Sequence, residues 1–291
     1  MIAFHKPCLE DRVWAQPLLN RFGGMGSESA FGTYFIWQEA YGFEIAQHKG
    51  FFLAWCPAGY FFPIGEGSLQ EVLDDLAENA AQRGEPLRLI FAEPCDQKLE
   101  KICPGKYEIT ENRANADYIY RVTDLIHLSG KKYHAKRNHI SRFVRNFGYD
   151  YEPVVTELQV RECIEMARRW GETAANPEDA AAELEAIRLA LVYRKELGMT
   201  AGLLRVDGQV IAFAAGEPIN ETTYVQHFEK ALVAYDGAYA VINHDFMTHG
   251  ICDYEFVNRE EDMGLEGLRK AKLSYLPERL LRKFAAIARN V

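Results

Sequence analysis

The chain lacks an apolar run long enough to cross a bilayer. A spanning helix needs about 18 or more consecutive apolar residues, and even the aromatic stretch from Phe51 to Ile64 is broken by Pro57, Gly59 and Pro63. The start, Met1-Ile2-Ala3-Phe4-His5-Lys6, has no basic region leading into an apolar one and does not read as a signal peptide. Together these absences predict a protein with no integral membrane segment and a cytoplasmic location. The cysteines Cys8, Cys56, Cys95, Cys103, Cys163 and Cys252 contain no Cys-x-x-Cys pair and no zinc-type spacing to histidine, so they are expected to be buried thiols. His244 and His249 stand five apart without the Glu of a His-Glu-x-x-His helix, and no metal site is expected. Positive charge is scarce too. Lys and Arg number 33 against 42 Asp and Glu, a formal net charge of −9, so a polyanion could be met only by a local patch. There is no Gly-x-Gly-x-x-Gly, no Walker A sequence, no Gly-x-Ser-x-Gly elbow and no specific sign of a Ser/His/Asp triad.

What is present repeats in outline. In the first half, helices at 9–20 and 28–40 precede strands at 43–48, 51–56 and 60–64. A helix from Ser68 to about Arg83 follows, opened by the capping box Ser68-x-x-Glu71 and closed at Gly84. Then come a strand at 87–91, a helix at 95–102 and strands at 106–111 and 117–122. The second half has a strand at 150–155, helices at 157–173 and 178–196, and a meander at 199–206, 209–217 and 221–229 with Asp207-Gly208 as a hairpin turn. A helix from Asp236 to His249, a strand at 253–257 and a last helix complete it. The shared order predicts two similar α/β modules, 1–125 and 126–291, each a mixed, mostly antiparallel sheet flanked by helices. A basic helix over 131–148 links them.

Three stretches carry unusual chemistry. In the linking helix, Ile140, Phe143, Val144 and Phe147 form the apolar face and Arg142 and Arg145 lie opposite. Lys136 falls about 40° from Ile140, inside the apolar stripe, with Arg137 at its edge. An inward cation needs a carboxylate or an anionic ligand. The outward cations are either a solvated face or an attraction for phosphates. The second stretch, His227 through Asn243, runs from strand to helix, where free N–H groups and Gly237 could receive a phosphate or carboxylate, or where Asp236 could simply cap the helix. The third, Asn258 through Tyr275, is a charged loop entering a helix. There Lys272 lies within about 20° and Arg269 within about 40° of Leu265, on the side the leucines would bury. It is either a salt-bridged helix with snorkelling cations or the polar floor of a site.

These stretches resemble the family of the phosphatidylglycerol lysyltransferase C-terminal domain. The resemblance rests on Lys136-Arg137-Asn138-His139-Ile140, on His227-Phe228-Glu229-Lys230-Ala231 with Tyr235-x-Gly237-Ala238-Tyr239 and Asn243, and on Asn258-Arg259-Glu260-x-Asp262-Met263-Gly264 with Gly267-Leu268-Arg269-Lys270-Ala271-Lys272-x-Ser274-Tyr275. It implies tandem GNAT-like acyltransferase modules and kinship with enzymes that take an aminoacyl group from tRNA. The membrane-embedded half of the lipid-modifying enzymes is absent from these residues. The GNAT pyrophosphate loop, Gln/Arg-x-x-Gly-x-Gly/Ala, is not recognisable after the 221–229 strand, where only Gly237 stands. Aminoacyl-tRNA and acyl-CoA are both candidate donors, and a small molecule or lipid is the candidate acceptor. The activity expected is acyl or aminoacyl transfer to an amine or hydroxyl. The alternative is a non-catalytic small-molecule or RNA-binding module. Lys230 and Arg269 or Lys272 are expected to stabilise an anion or oxyanion. Glu229 or Glu260 is expected as base or ammonium site, and Asp262 as orienter of the cations. Lys136, Arg137, Asn138, His227, Tyr235, Gly237, Tyr239, Asn243, Asn258, Arg259 and Tyr275 are expected to line the substrate site, with Glu229-Lys230 facing the Asn258–Tyr275 segment.

Overall fold

The computed structural model describes residues 2–173 and 176–289. Its helices are α1 (Arg12–Phe22), α2 (Phe31–Ile36), α3 (Gln38–Tyr41), α4 (Leu69–Gln82), α5 (Cys95–Ile102), α6 (Val122–His127), α7 (His134–Asn146), α8 (Glu157–Gly171), α9 (Pro177–Val192), α10 (Arg194–Leu197), α11 (Ala238–His249) and α12 (Glu266–Leu273). Its strands are β1 (Glu44–His48), β2 (Phe51–Cys56), β3 (Gly59–Phe61), β4 (Ile64–Gly65), β5 (Arg88–Ala92), β6 (Tyr107–Glu111), β7 (Asp117–Arg121), β8 (Tyr149–Pro153), β9 (Thr200–Val206), β10 (Gln209–Pro218), β11 (Thr223–Ala231), β12 (Phe256–Asn258), β13 (Arg279–Leu281) and β14 (Lys283–Ala288).

The first sheet runs β1-β2-β3-β5-β14-β6, with β4 on β2. Its one parallel pair among the described residues is β3 with β5. Helix α4 packs on it because the 3.6-residue period places Val72, Leu73, Leu76 and Ala80 on one side, against Leu53, Tyr60, Leu89, Phe91 and Phe284. The Ser68 hydroxyl accepts from the Glu71 N–H and starts that helix, as expected. The second sheet includes β8, β9, β10, β11, β12 and β7 in that order, and among these strands β11 and β12 are the one parallel pair. Both sheets are mixed and mostly antiparallel, with helices against them, which is the predicted class.

The division of the chain differs from the sequence expectation. One compact unit takes the chain up to Tyr118, then Glu260–Lys272 and the residues from Arg279 on. The other takes Ile119–Arg259 and Leu273–Glu278. Strand β7, read as part of the first module, pairs with β12 of the second sheet, and β14 lies between β5 and β6 of the first. Each sheet thus takes a strand from the other half of the sequence. Two of the cysteines, Cys8 and Cys252, are exposed rather than buried.

In the second unit, α7 buries Phe143 and half-buries Ile140 and Phe147. Val144, expected on the apolar face, is 51% exposed. The covered stripe is narrower than the wheel suggests because α7 meets α11 along one line. Gly237, at φ 95°, sits on that line, and a Cβ there would lie 2.7 Å from the His139 carbonyl oxygen and 3.1 Å from the Phe143 Cβ. Gly237 is therefore glycine because α7 crosses the start of α11.

Candidate functional site

Strands β11 and β12 pair only at Thr223–Phe256, Tyr224–Val257 and Val225–Asn258. β12 then ends, while β11 continues to Ala231 against β10 alone. Arg259 follows the last residue of β12 and spans the opening. Its Nη2 donates to Glu229 Oε1 at 2.8 Å. Glu229 Oε2 accepts from Gln226 Nε2 at 2.7 Å and from Asn243 Nδ2, on α11, at 2.9 Å. The carboxylate is mostly buried and held by three side chains from three elements. The Arg259 guanidinium lies 4.9 Å from the Tyr275 ring centre and 5.5 Å from that of Tyr120, within cation–π range.

Lys136 comes to the same place from α7. Its Nζ stands 3.5 Å over the Tyr275 ring and donates to Ser274 Oγ at 2.6 Å. It points inward as its place on the wheel predicts, though its direct partners are a ring and a hydroxyl rather than a carboxylate. Burial, and then the charge of Arg259, pull its ammonium down to about 8, with Glu229 opposing them. Burial pushes the Tyr275 hydroxyl above its ordinary range, and Glu229 adds to it. The Tyr133 hydroxyl donates to the Tyr275 carbonyl at 3.2 Å and fixes that residue from the turn before α7. A carboxylate, a permanent cation and a lysine whose ammonium is pulled down to about 8 thus share one desolvated place.

Lys230 is not part of it. Side chains alternate along a strand, so it points to the face opposite Glu229. There its Nζ pairs with Glu183 of α9 at 2.7 Å and lies 3.7 Å over the Trp170 ring of α8. Burial lowers its pKa. The Trp170 indole donates to the Tyr239 hydroxyl at 3.0 Å, which places Tyr239 with this second cluster. His227 is buried with Nε2 3.0 Å from Glu217 Oε1. Arg137 donates to the carbonyls of Leu128 and Gly130 and braces the entry to α7. Asn138 bonds His134 on the exposed side of α7. Tyr235 packs its ring 5.2 Å from Phe147. Asn258 is buried in β12 beside Val225. Gly237 is closed by α7, and the Ala238 N–H is already spent on the Tyr235 carbonyl.

The remaining predicted residues lie in the first unit. Asp262 is fully buried there and accepts from Arg269 Nε at 2.9 Å and Nη2 at 3.0 Å, Arg113 at 3.1 Å, the Tyr118 hydroxyl at 2.6 Å and the Gly264 N–H at 2.9 Å. Burial would raise its pKa, but Arg269, Tyr118, the Gly264 N–H and the charge of Arg113 outweigh burial and hold the carboxyl well below its usual range. Asp262 thus holds the guanidinium groups of Arg269 and Arg113. Lys272 donates to the Glu261 carbonyl, and the Glu260 carbonyl accepts from the Tyr118 N–H at 3.1 Å. The leucine stripe of α12 is not core: Leu265 is 56% exposed. The loop is anchored by its buried carboxylate instead. The matching place in this unit, beyond the β3–β5 pair, carries aromatic rings, with Phe62 and Phe91 5.7 Å apart and Phe284 5.9 Å from Phe91.

Sequence reasoning missed Gln226, Tyr120, Ser274, Trp170 and Glu183 as members of these clusters. Ser274 and Tyr275 are neighbours in the charged stretch and could have been weighed together. Tyr120 carried no such signal, since nothing local says that β7 joins the second sheet.

The model of the family described as phosphatidylglycerol lysyltransferase, C-terminal, matches residues 20–287. A crystal structure of a conserved protein of unknown function from Bacteroides thetaiotaomicron is 36% identical, with 99% of this chain and 100% of that one covered and a TM-score of 0.92. L-PGS from Bacillus licheniformis is 17% identical over 99% of this chain and 94% of its own, with a TM-score of 0.63. A tandem GNAT protein from the clavulanic acid biosynthesis pathway, 10% identical, covers both chains completely with a TM-score of 0.53. The fold is therefore the tandem GNAT-like one.

Proposed function

The chain belongs to the phosphatidylglycerol lysyltransferase C-terminal family, and from that premise we propose that it transfers an aminoacyl group at the Glu229–Arg259–Lys136–Tyr275 cluster. The observation that carries the reading is Glu229, a mostly buried carboxylate at the end of a strand whose neighbour has stopped. A buried carboxylate flanked by more than one cation suits a ligand that brings both an ammonium and a carbonyl. Aminoacyl-tRNA brings both, whereas an acetyl thioester brings only the carbonyl. The lack of a glycine-rich loop after β11, and the closure of Gly237 by α7, also weigh against an acyl-CoA pyrophosphate there.

In this reading Glu229 receives the ammonium of the aminoacyl group. Arg259 faces the oxygen that becomes negative as the carbonyl carbon turns tetrahedral. Lys136, in its neutral form, takes the proton from the attacking amine or hydroxyl. The new bond forms between that nucleophile and the carbonyl carbon, the ester bond to the ribose breaks, and the ribose oxygen leaves with a proton. The acceptor is a small molecule or a lipid.

A thermal-shift panel tests the donor. Ligand that binds only the folded state at 100 times its Kd adds about 2.7 kcal/mol of stability. Aminoacyl-tRNA is expected to stabilise the protein more than uncharged tRNA, and Glu229→Gln to erase the difference. Stabilisation by acetyl-CoA alone, or an unchanged difference in the variant, overturns the reading.

A further inference from the structure

We infer that the buried Glu217–His227 pair is a positioning device that aims Gln226 and Glu229 at the same substrate; this rests on the site proposed above. Along β10 and β11 the register runs Ala214 to Glu229, then Ala215 to Phe228, then Gly216 to Gln226. β11 takes two steps where β10 takes one, and the extra residue is His227. In an unbroken ladder residues 226 and 229, three apart, would point to opposite faces. The bulge turns them to the same face, and that is why Gln226 Nε2 reaches Glu229 Oε2 at 2.7 Å. Gly216 makes room for it, since a Cβ there would fall 1.9 Å from the Val225 carbonyl oxygen.

The pair ties the extra residue to the neighbouring strand. Glu217 sits one step past Gly216 on β10, and His227 Nε2 lies 3.0 Å from its Oε1, with both side chains out of water. The other oxygen of Glu217, Oε2, has no hydrogen-bond partner among the described residues. Such a carboxylate is a poor choice for stability alone, because apolar residues of similar size would avoid its desolvation. Its specific effect is on register. Both side chains are closed off from water, so the effect assigned to each runs through Gln226 and Glu229.

The variants Glu217→Ala and His227→Ala test this, with Glu217→Gln and His227→Gln as conservative partners that keep a hydrogen-bonding group and the fold. Two readouts are taken. Aminoacyl transfer should lose about 10- to 100-fold in kcat with KM for the donor within about twofold, and the Gln variants should recover part of the loss. In NMR spectra, the Gln226 side-chain amide should move to the position of a solvent-exposed amide in the Ala variants. The Asn243 amide, which α11 brings to Glu229, should stay. A lower melting temperature with the Gln226 amide unmoved makes the pair structural and overturns the inference. If the wild type transfers nothing while the Gln226 amide still moves, the transferase reading falls and the positioning relation stands.

Discussion

At the scale of single residues the account turns on titration. Lys136 is pulled from the ordinary lysine value of 10.5 down to about 8. Below about pH 8 the folded protein holds a charged ammonium in a desolvated place. Between about 8 and 10.5 it sheds that proton, while the unfolded chain keeps its own. The unfolded state then binds more protons, so Lys136 makes stability rise with pH across that window. In the proposed reaction the neutral amine is the active form. The pH–rate profile should therefore rise through about 8, and Lys136→Met should lower the rate and remove that limb. An unaltered limb in the variant assigns the proton to another group. Asp262 gives a slope of the same sign, because its carboxyl too is pulled down on folding. Its depressed carboxyl contributes stability that is present above the ordinary aspartate value of about 4 and lost as pH falls below it. Asp262→Asn should cost about 2 kcal/mol in urea unfolding, less than a wholly buried pair because Arg113 and Arg269 each remain more than a third exposed. Much of this scale was legible. Lys136 could be singled out because an inward cation needs a partner, whereas Glu229, Arg259 and Tyr275 entered through the family resemblance. Which partner each takes was not legible: adjacent Glu229 and Lys230 part company because a strand alternates its faces.

At the scale of elements, local signals did well and contacts between distant segments did not. The Ser68 cap, the Asp207-Gly208 hairpin and the phase of α7 at Lys136 and Phe143 all follow from near neighbours. The bulge at His227 left no such mark, since it exists only in the register between two strands. Gly237 shows the limit most clearly. The sequence suggested a place for a ligand's phosphate, and the structure puts the backbone of α7 there. Gly237→Ala should destabilise the protein by about 2 kcal/mol, from the clash with the His139 carbonyl and the positive φ together. Urea unfolding measures it. A change within about 0.5 kcal/mol, the ordinary range for surface substitutions, would mean that α7 yields easily.

At the scale of the whole molecule, the repeated order of elements was readable and the strand exchange was not. Hydrophobic pattern says that Phe284, Ala286 and their neighbours want a sheet, but not which one. Because β14 has β5 on one side and β6 on the other, deleting residues 282–291 removes an interior strand of the first sheet. The truncated chain should lose its cooperative thermal transition or fail to accumulate in soluble form; normal melting would contradict the pairing. The central claim is that one of these two similar halves keeps a reacting centre, around a carboxylate that reads an ammonium. The most direct measurement compares the affinity for an aminoacyl-tRNA with that for the same tRNA bearing the N-acetylated amino acid, in the wild type and in Glu229→Gln. The account predicts at least a tenfold preference for the free ammonium, about 1.4 kcal/mol, that disappears in the variant. Equal affinity of the wild type for both tRNAs would contradict it.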